Sequence, residues 1–230
     1  MGLKDKLELV KENILNSQNK VERNSKVEII AVTKTHPFKI IEDSYQAGFL
    51  SIGENRVQEA SDKFGSFDSM PRLKKRFIGH LQSNKLKRCL NLFDTIDSID
   101  STSLIKKVSN FGRRTDKKIS VLLEVNTSNE KQKYGFLPEE KEELLSCFEE
   151  PGVLITGLMT VAPFTTEEKK IRSSFKTLRD LKENLNSFLG DKKMCELSMG
   201  MSNDYKIAIE EGSTMIRLGT LLFGQRGSYN

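Results

Sequence analysis

Residues 27–37 read Val-Glu-Ile-Ile-Ala-Val-Thr-Lys-Thr-His-Pro. Ile29 to Val32, with Val27 one place before Glu28, are apolar and mostly β-branched, as a buried strand requires. The run stops at Thr33 and Lys34. Pro37 then opens a helix, because its fixed φ suits the first turn and its missing N–H would have had no helical partner. Lys34 therefore stands where a buried strand gives way to a loop. An amine held there is partly desolvated, which disfavours the ammonium and favours the neutral form that attacks aldehydes and ketones. The other reading of the same residue is a strand-end lysine with a packed stem and a wet head.

Outward from this stretch, Leu3, Leu7, Val10 and Ile14 form the apolar stripe of an amphipathic first helix. Further strands are expected at 49–53, 77–79, 93–99, 119–125, 153–160, 194–199 and 214–218. Helices fall between them, one of them polar and running through Lys87, another spanning 138–149. Thr165 and Glu168 have the spacing of a capping box ahead of Ile171, Phe175, Leu178 and Leu185. The segment 119–125 is almost continuously apolar, as strands covered on both faces are. Eight strands alternating with helices over 230 residues, with no linker or repeat, predict one (β/α)8 TIM-type barrel domain over 1–230 with an extra N-terminal helix. An open doubly wound sheet is the alternative.

In a barrel the residues just after each strand share one mouth. Here they are Lys34, Asn55 (within Gly53-Glu54-Asn55), His80 (within Gly79-His80-Leu81-Gln82), Asp97-Ser98, Asn126 to Ser128, Met159-Thr160, Ser198 to Ser202, and Gly219-Thr220. The last two groups suggest a phosphate site. Ser202 would cap a helix starting at Asn203, while Gly200 and Gly219 would let the backbone approach an anion. A plain capped helix with two turn glycines fits the same spacing. Arg217, two residues before Gly219, faces the barrel interior or its rim by strand alternation. Its acceptor is either Glu196 or Glu124, or a ligand ring nitrogen or phosphate.

Composition narrows the field. Cys89, Cys147 and Cys195 are odd in number and widely spaced, against a disulfide or zinc framework and for a reducing compartment. The charged N-terminus, Met-Gly-Leu-Lys-Asp-Lys, lacks a signal-peptide core, and no run approaches a membrane span, so a cytoplasmic protein is expected. Seven Lys/Arg and no acid lie between Ser69 and Arg88. With only Phe77 as an aromatic there, a solvated helix face is favoured over a nucleic-acid surface. His36 and His80 make neither a triad nor a metal pair.

Several stretches occur in the order of one known family: 31–37, Gly-Glu-Asn-Arg-Val-Gln-Glu (53–59), Phe-Ile-Gly-His-Leu-Gln-Ser-Asn-Lys (77–85), Val-Asn-Thr-Ser-Asn-Glu-Lys-Gln-Lys-Tyr-Gly (125–135), Leu-Ser-Met-Gly-Met-Ser-Asn-Asp (197–204) and Gly-Ser-Thr-Met-Ile-Arg-Leu-Gly-Thr (212–220). Together they resemble the pyridoxal phosphate homeostasis protein family, a barrel similar to the N-terminal domain of alanine racemase. The resemblance implies pyridoxal 5′-phosphate as cofactor and Lys34 as its Schiff-base lysine. It implies that Ser202, Gly219 and Thr220 hold the phosphate, that Arg217 faces the pyridine nitrogen and that Asn55 lies near the ring. It gives His80 no settled role. An arginine at the ring nitrogen keeps that nitrogen unprotonated and blunts carbanion chemistry. None of Tyr45, Tyr134, Tyr205 and Tyr229 is recognisable as a racemase base, and only ten residues follow Thr220. The resemblance thus implies a carrier that buffers the cofactor and delivers it to pyridoxal-phosphate-dependent apo-enzymes. An amino-acid racemase is the alternative, and a Schiff-base aldolase is what the lysine and phosphate site alone would also allow.

Overall fold

The computed structural model describes residues 1–191 and 193–224. Helix α1 (Leu3–Asn19) precedes eight strand–helix units. These are β1 (Glu28–Val32) and α2 (Phe38–Gln46), β2 (Ser51–Glu54) and α3 (Val57–Lys63), β3 (Lys74–Phe77) and α4 (Leu86–Leu92), and β4 (Thr95–Ile99) and α5 (Thr102–Arg114). They continue with β5 (Ile119–Glu124) and α6 (Lys141–Ser146), β6 (Val153–Met159) and α7 (Glu168–Asn186), β7 (Glu196–Met201) and α8 (Tyr205–Glu210), and β8 (Met215–Leu218) and α9 (Thr220–Phe223). The strands pair in parallel in chain order, and β8 closes on β1 with Arg217 opposite Ile30. This is the expected (β/α)8 barrel with its added N-terminal helix, and the open sheet is excluded.

Alternation sorts each strand into an inner and an outer face. Ile30, Leu122, Met159 and Met215 meet inside the barrel. Their neighbours Ala31, Leu123, Leu158, Ile216 and Leu218 point out beneath the helices. Leu7, Val10 and Ile14 of α1 pack with Tyr205, Ile209, Ile216 and Leu222, so the extra helix covers the β8–β1 seam. Burying such side chains stabilises by about 1.5–3 kcal/mol each, which is why α1 keeps its stripe.

Several boundaries differ from the sequence expectation. Strand β3 starts three residues before 77, in the charged run, because Arg76 turns into the barrel. Its guanidinium bonds Glu28 Oε2 (2.9 Å), Asp97 Oδ2 (3.1 Å) and Ser51 Oγ (3.2 Å). Glu28 and Ser51 open β1 and β2, so Arg76 ties the amino-terminal ends of the strands together. The basic stretch is therefore not one solvated helix face. Thr165 and Glu168 form no capping box: the Thr165 hydroxyl accepts from Glu167 N–H (3.1 Å), and α7 begins at Glu168 with Glu167 as its N-cap. The helix expected over 138–149 is six residues long, continued by a 3-10 turn at Cys147–Glu149.

Candidate functional site

Lys34 follows β1 by two residues and is half-buried. The loop that carries it is braced from behind. The Thr33 hydroxyl donates to Glu54 Oε1 (2.5 Å), and Lys63 Nζ donates to the same oxygen (2.6 Å) and to the Thr33 carbonyl (2.9 Å). Thr35 N–H donates to Glu59 Oε1, and Thr35 sits in the left-handed region at φ 66°. A β-branched residue adopts that conformation only when its surroundings impose it. Glu54 ends β2 but faces outward, away from the mouth where the sequence grouped it, and is fully buried. Burial pushes its carboxyl above the ordinary range, with Lys63 pulling the other way, and Oε2 has no partner.

Arg217 lies inside the barrel, 5% exposed. Neither Glu196 nor Glu124 is its hydrogen-bond acceptor. It donates to the Ser198 carbonyl and hydroxyl (2.8 Å each) and to the Thr160 carbonyl (2.7 Å). Glu196 instead accepts from the Thr156 hydroxyl. Burial pulls the Arg217 guanidinium below its usual range while Glu124, Asp204 and Asp97 oppose the shift. Arginine remains charged under any such shift, so β8 presents a fixed cation held by oxygens from β6 and β7.

The phosphate-type site is built differently from expectation. Ser202 does not cap α8, because Asp204 is the N-cap residue and α8 starts at Tyr205. Asp204 Oδ1 takes the Met201 N–H, which stiffens the turn. The Ser202 hydroxyl accepts instead from Leu221 N–H (3.2 Å), in the single helical turn of α9 whose N-cap is Gly219. Ser202, Gly219 and Thr220 are thereby brought together; the Leu221, Leu222 and Phe223 N–H groups are engaged, leaving the two hydroxyls and the Thr220 N–H for an anion. Gly200 needs its φ of 96°, and a Cβ there would fall 2.6 Å from Ala208 Cβ. Gly219 has no such need: its φ is −115°, and a Cβ would sit 3.6 Å from Val32, in ordinary contact. That contact sets Gly219 beside the strand leading to Lys34.

Asn55 is half-buried directly after β2, and the chain after β3 presses on it: a Cβ on Gly79 would lie 2.2 Å from the Asn55 carbonyl oxygen. His80 follows. Its Nδ1 is 2.8 Å from Asp100 Oδ2, and its ring stacks on Tyr134 with centroids 3.7 Å apart. Tyr134 is thus the mouth tyrosine that spacing failed to reveal; Tyr229 lies outside the described residues. Glu124 ends β5 on the inner face, on the same side as Leu122. With Asn126, Lys133 and Tyr134 it lines a cavity of about 190 Å³. Burial raises its carboxyl to about 7, with Asp100 adding to the rise and Arg217 opposing it. The candidate site residues thus lie on adjoining strand ends: β7 and β8 lead to Ser202, Gly219 and Thr220, β1 to Lys34, and β2 and β3 to Asn55 and His80, whereas Asp97 lies within β4 and turns to Arg76 and the amino-terminal strand ends instead of the mouth.

Among the described residues, no group of three His, Cys, Asp or Glu could hold a metal ion, and no helix is long and apolar enough to cross a membrane. Cys89 and Cys147 are buried free thiols, and Cys195 is an exposed one.

A closed parallel barrel of eight strands covered by helices is the fold shared with alanine racemase barrels. Residues 6–227 match the family model described as the alanine racemase N-terminal domain. Within that class, the chain belongs to the pyridoxal phosphate homeostasis protein family. It is 37% identical to the pyridoxal phosphate homeostasis protein of Aquifex aeolicus over 86% of each chain. It is 36% identical to that of Haemophilus influenzae over 98% of this chain and 97% of the relative. Among solved structures, PipY of Synechococcus elongatus with pyridoxal phosphate bound superposes with a TM-score of 0.85 at 32% identity, covering 96% of this chain and all of PipY. Alanine racemase of Clostridium difficile has a TM-score of 0.73 at 15% identity, over 98% of this chain and 57% of the racemase, a likeness of fold alone.

Proposed function

We propose that this protein binds pyridoxal 5′-phosphate as a Schiff base on Lys34 and serves intracellular homeostasis of that cofactor, buffering it and delivering it to apo-enzymes with little catalysis of its own. The observation that carries the reading is that half-buried Lys34 leaves β1 next to β8, the strand that carries buried Arg217 and leads into the Ser202–Gly219–Thr220 turn. The donor set matches the group: an amine for an aldehyde, two hydroxyls and an N–H for a phosphate, a guanidinium for a ring nitrogen. When bound, the cofactor supplies the aldehyde and a conjugated ring that can act as an electron sink. Arg217 cannot accept a proton, so it keeps the atom it faces an acceptor and weakens that sink. Ser202 and Thr220 orient the phosphate, and the Glu54–Lys63 brace fixes the backbone from which Lys34 reaches.

The test is the visible spectrum of the purified protein after addition of pyridoxal phosphate, followed by borohydride reduction and peptide mapping. A yellow protein that ends with a pyridoxyl group on Lys34, and a colourless Lys34→Ala variant, are expected. A colourless wild type left unmodified would overturn the reading. Amino-acid racemisation is the second reading, favoured by the His80–Asp100 pair and the stacked Tyr134, which are acid–base groups at the mouth. Hydrogen exchange at Cα of L-alanine in D2O separates the two.

A further inference from the structure

Glu124 is an ionisable group in the barrel that neither anion binding nor the lysine chemistry uses. It is the last residue of β5, on the inner face above Leu122, and its side chain forms part of the wall of the cavity shared with Asn126, Lys133 and Tyr134. β5 is the fifth of eight strands, so it stands across the barrel from β1 and from Lys34. The cations nearby are committed elsewhere. Arg217 of β8 is bonded to Ser198 and to the Thr160 carbonyl, and Lys133 to Glu130, Ser128 and the Val161 and Ala162 carbonyls. From the β4 side comes Asp100, itself paired with His80, and β6 brings no titratable side chain. Glu124 is therefore an acid in a half-closed cavity, facing one carboxylate and cations already engaged.

A phosphorylated aldehyde brings at least two further negative charges into this mouth. A carboxylate beside them would be repelled in a site of reduced dielectric, whereas a neutral carboxyl would not, and could donate a hydrogen bond to a ring oxygen. We propose that Glu124 is a further ligand-binding group of the cofactor site, entering the loaded site as the neutral acid, so that binding pyridoxal phosphate takes up a proton and release gives it back. The inference rests on the reading of Lys34 given above and adds to it the control of release by pH.

The test measures pyridoxal phosphate affinity from pH 6 to 8.5, spectroscopically and by titration calorimetry in two non-nucleophilic buffers of different ionisation enthalpy. Wild type is compared with Glu124→Gln, a neutral isostere. Because one proton is involved, wild type should lose about tenfold in affinity between pH 6 and pH 8 beyond any change in the variant. Calorimetry at pH 8 should show wild type taking up nearly one proton more than the variant. Equal proton counts in wild type and variant at pH 8 overturn the proposal, because exchange at Lys34 and at the phosphate is common to both and cancels in the difference; Glu124→Ala is the second reference if Glu124→Gln folds poorly. Parallel pH profiles for the two proteins would also overturn it while leaving Lys34 as the cofactor lysine. Absence of binding by wild type at every pH would remove both readings.

Discussion

Lys63 and Glu54 form a buried ion pair, with side chains 8% and 0% exposed, behind the loop that carries Lys34. Removing one partner of such a pair leaves a buried charge uncompensated and costs about 3 kcal/mol or more. Lys63→Met should lower unfolding free energy by about that amount at pH 8. The loss should be smaller at pH 5, because burial already biases Glu54 toward its neutral form; denaturant titrations at the two pH values check this. Glu124 gives the opposite sign. Its folded value of about 7 lies above the ordinary 4.5, so the folded state binds more protons between those values and stability falls as pH rises through them. Replacing the carboxyl removes that loss. Glu124→Gln should therefore stabilise the protein at pH 8 by about 1–3 kcal/mol relative to wild type, with no gain from this source below pH 4.5. Paired thermal melts at pH 4 and pH 8 measure it.

At the scale of elements, Arg76 decides more than any apolar residue of β3. It is 1% exposed and joins the first residues of β1 and β2 to Asp97 of β4. Arg76→Met should cost about 3–5 kcal/mol in a denaturant titration by leaving Asp97 and Glu28 without their partner. An unchanged midpoint would mean that the strand ends hold together without it. The same residue marks where sequence reading stops. β1, β5 and β6 were legible because parallel strands covered on both faces are nearly unbroken apolar runs. β3 shows only its end at Phe77, because Lys-Lys-Arg looks like surface until its third member is known to face Glu28, Ser51, Thr95 and Asp97 inside a barrel. Lys34, Arg217, Ser202, Asn55, Gly219, Thr220 and His80 could be named from the chain, and they do lie on neighbouring strand ends. Their partners could not. Ser-Asn-Asp offers three candidate caps, and Asp204 takes that position while Ser202 turns to Leu221. Arg217 satisfies itself on Ser198 and a carbonyl rather than on a carboxylate, a choice that no spacing rule anticipates. In the sequence Glu124 stands out only as a possible salt-bridge partner of Arg217, since its burial and its cavity depend on how β5 sits in the closed barrel.

The barrel has a floor tied by Arg76 and a mouth tied by Arg217, and the proposed work happens only at the mouth. A carrier of this design should exchange the Cα hydrogen of L-alanine in D2O orders of magnitude more slowly than a true racemase. Exchange at racemase-like rates would make the second reading the correct one. Within the positive stretch of 69–88, Arg76 is engaged inside the barrel and the other cations are split between the start of β3 and the segment leading into and along α4, so retention on RNA at physiological salt should be absent. Thr35 is held in a left-handed turn that asparagine adopts with less strain. A laboratory selection for heat resistance alone should therefore enrich Thr35→Asn, by relief of about 1 kcal/mol. Such a substitution leaves the contacts among Thr33, Glu54 and Lys63 in place, so heat resistance gained at this turn comes without loosening the backbone that aims Lys34.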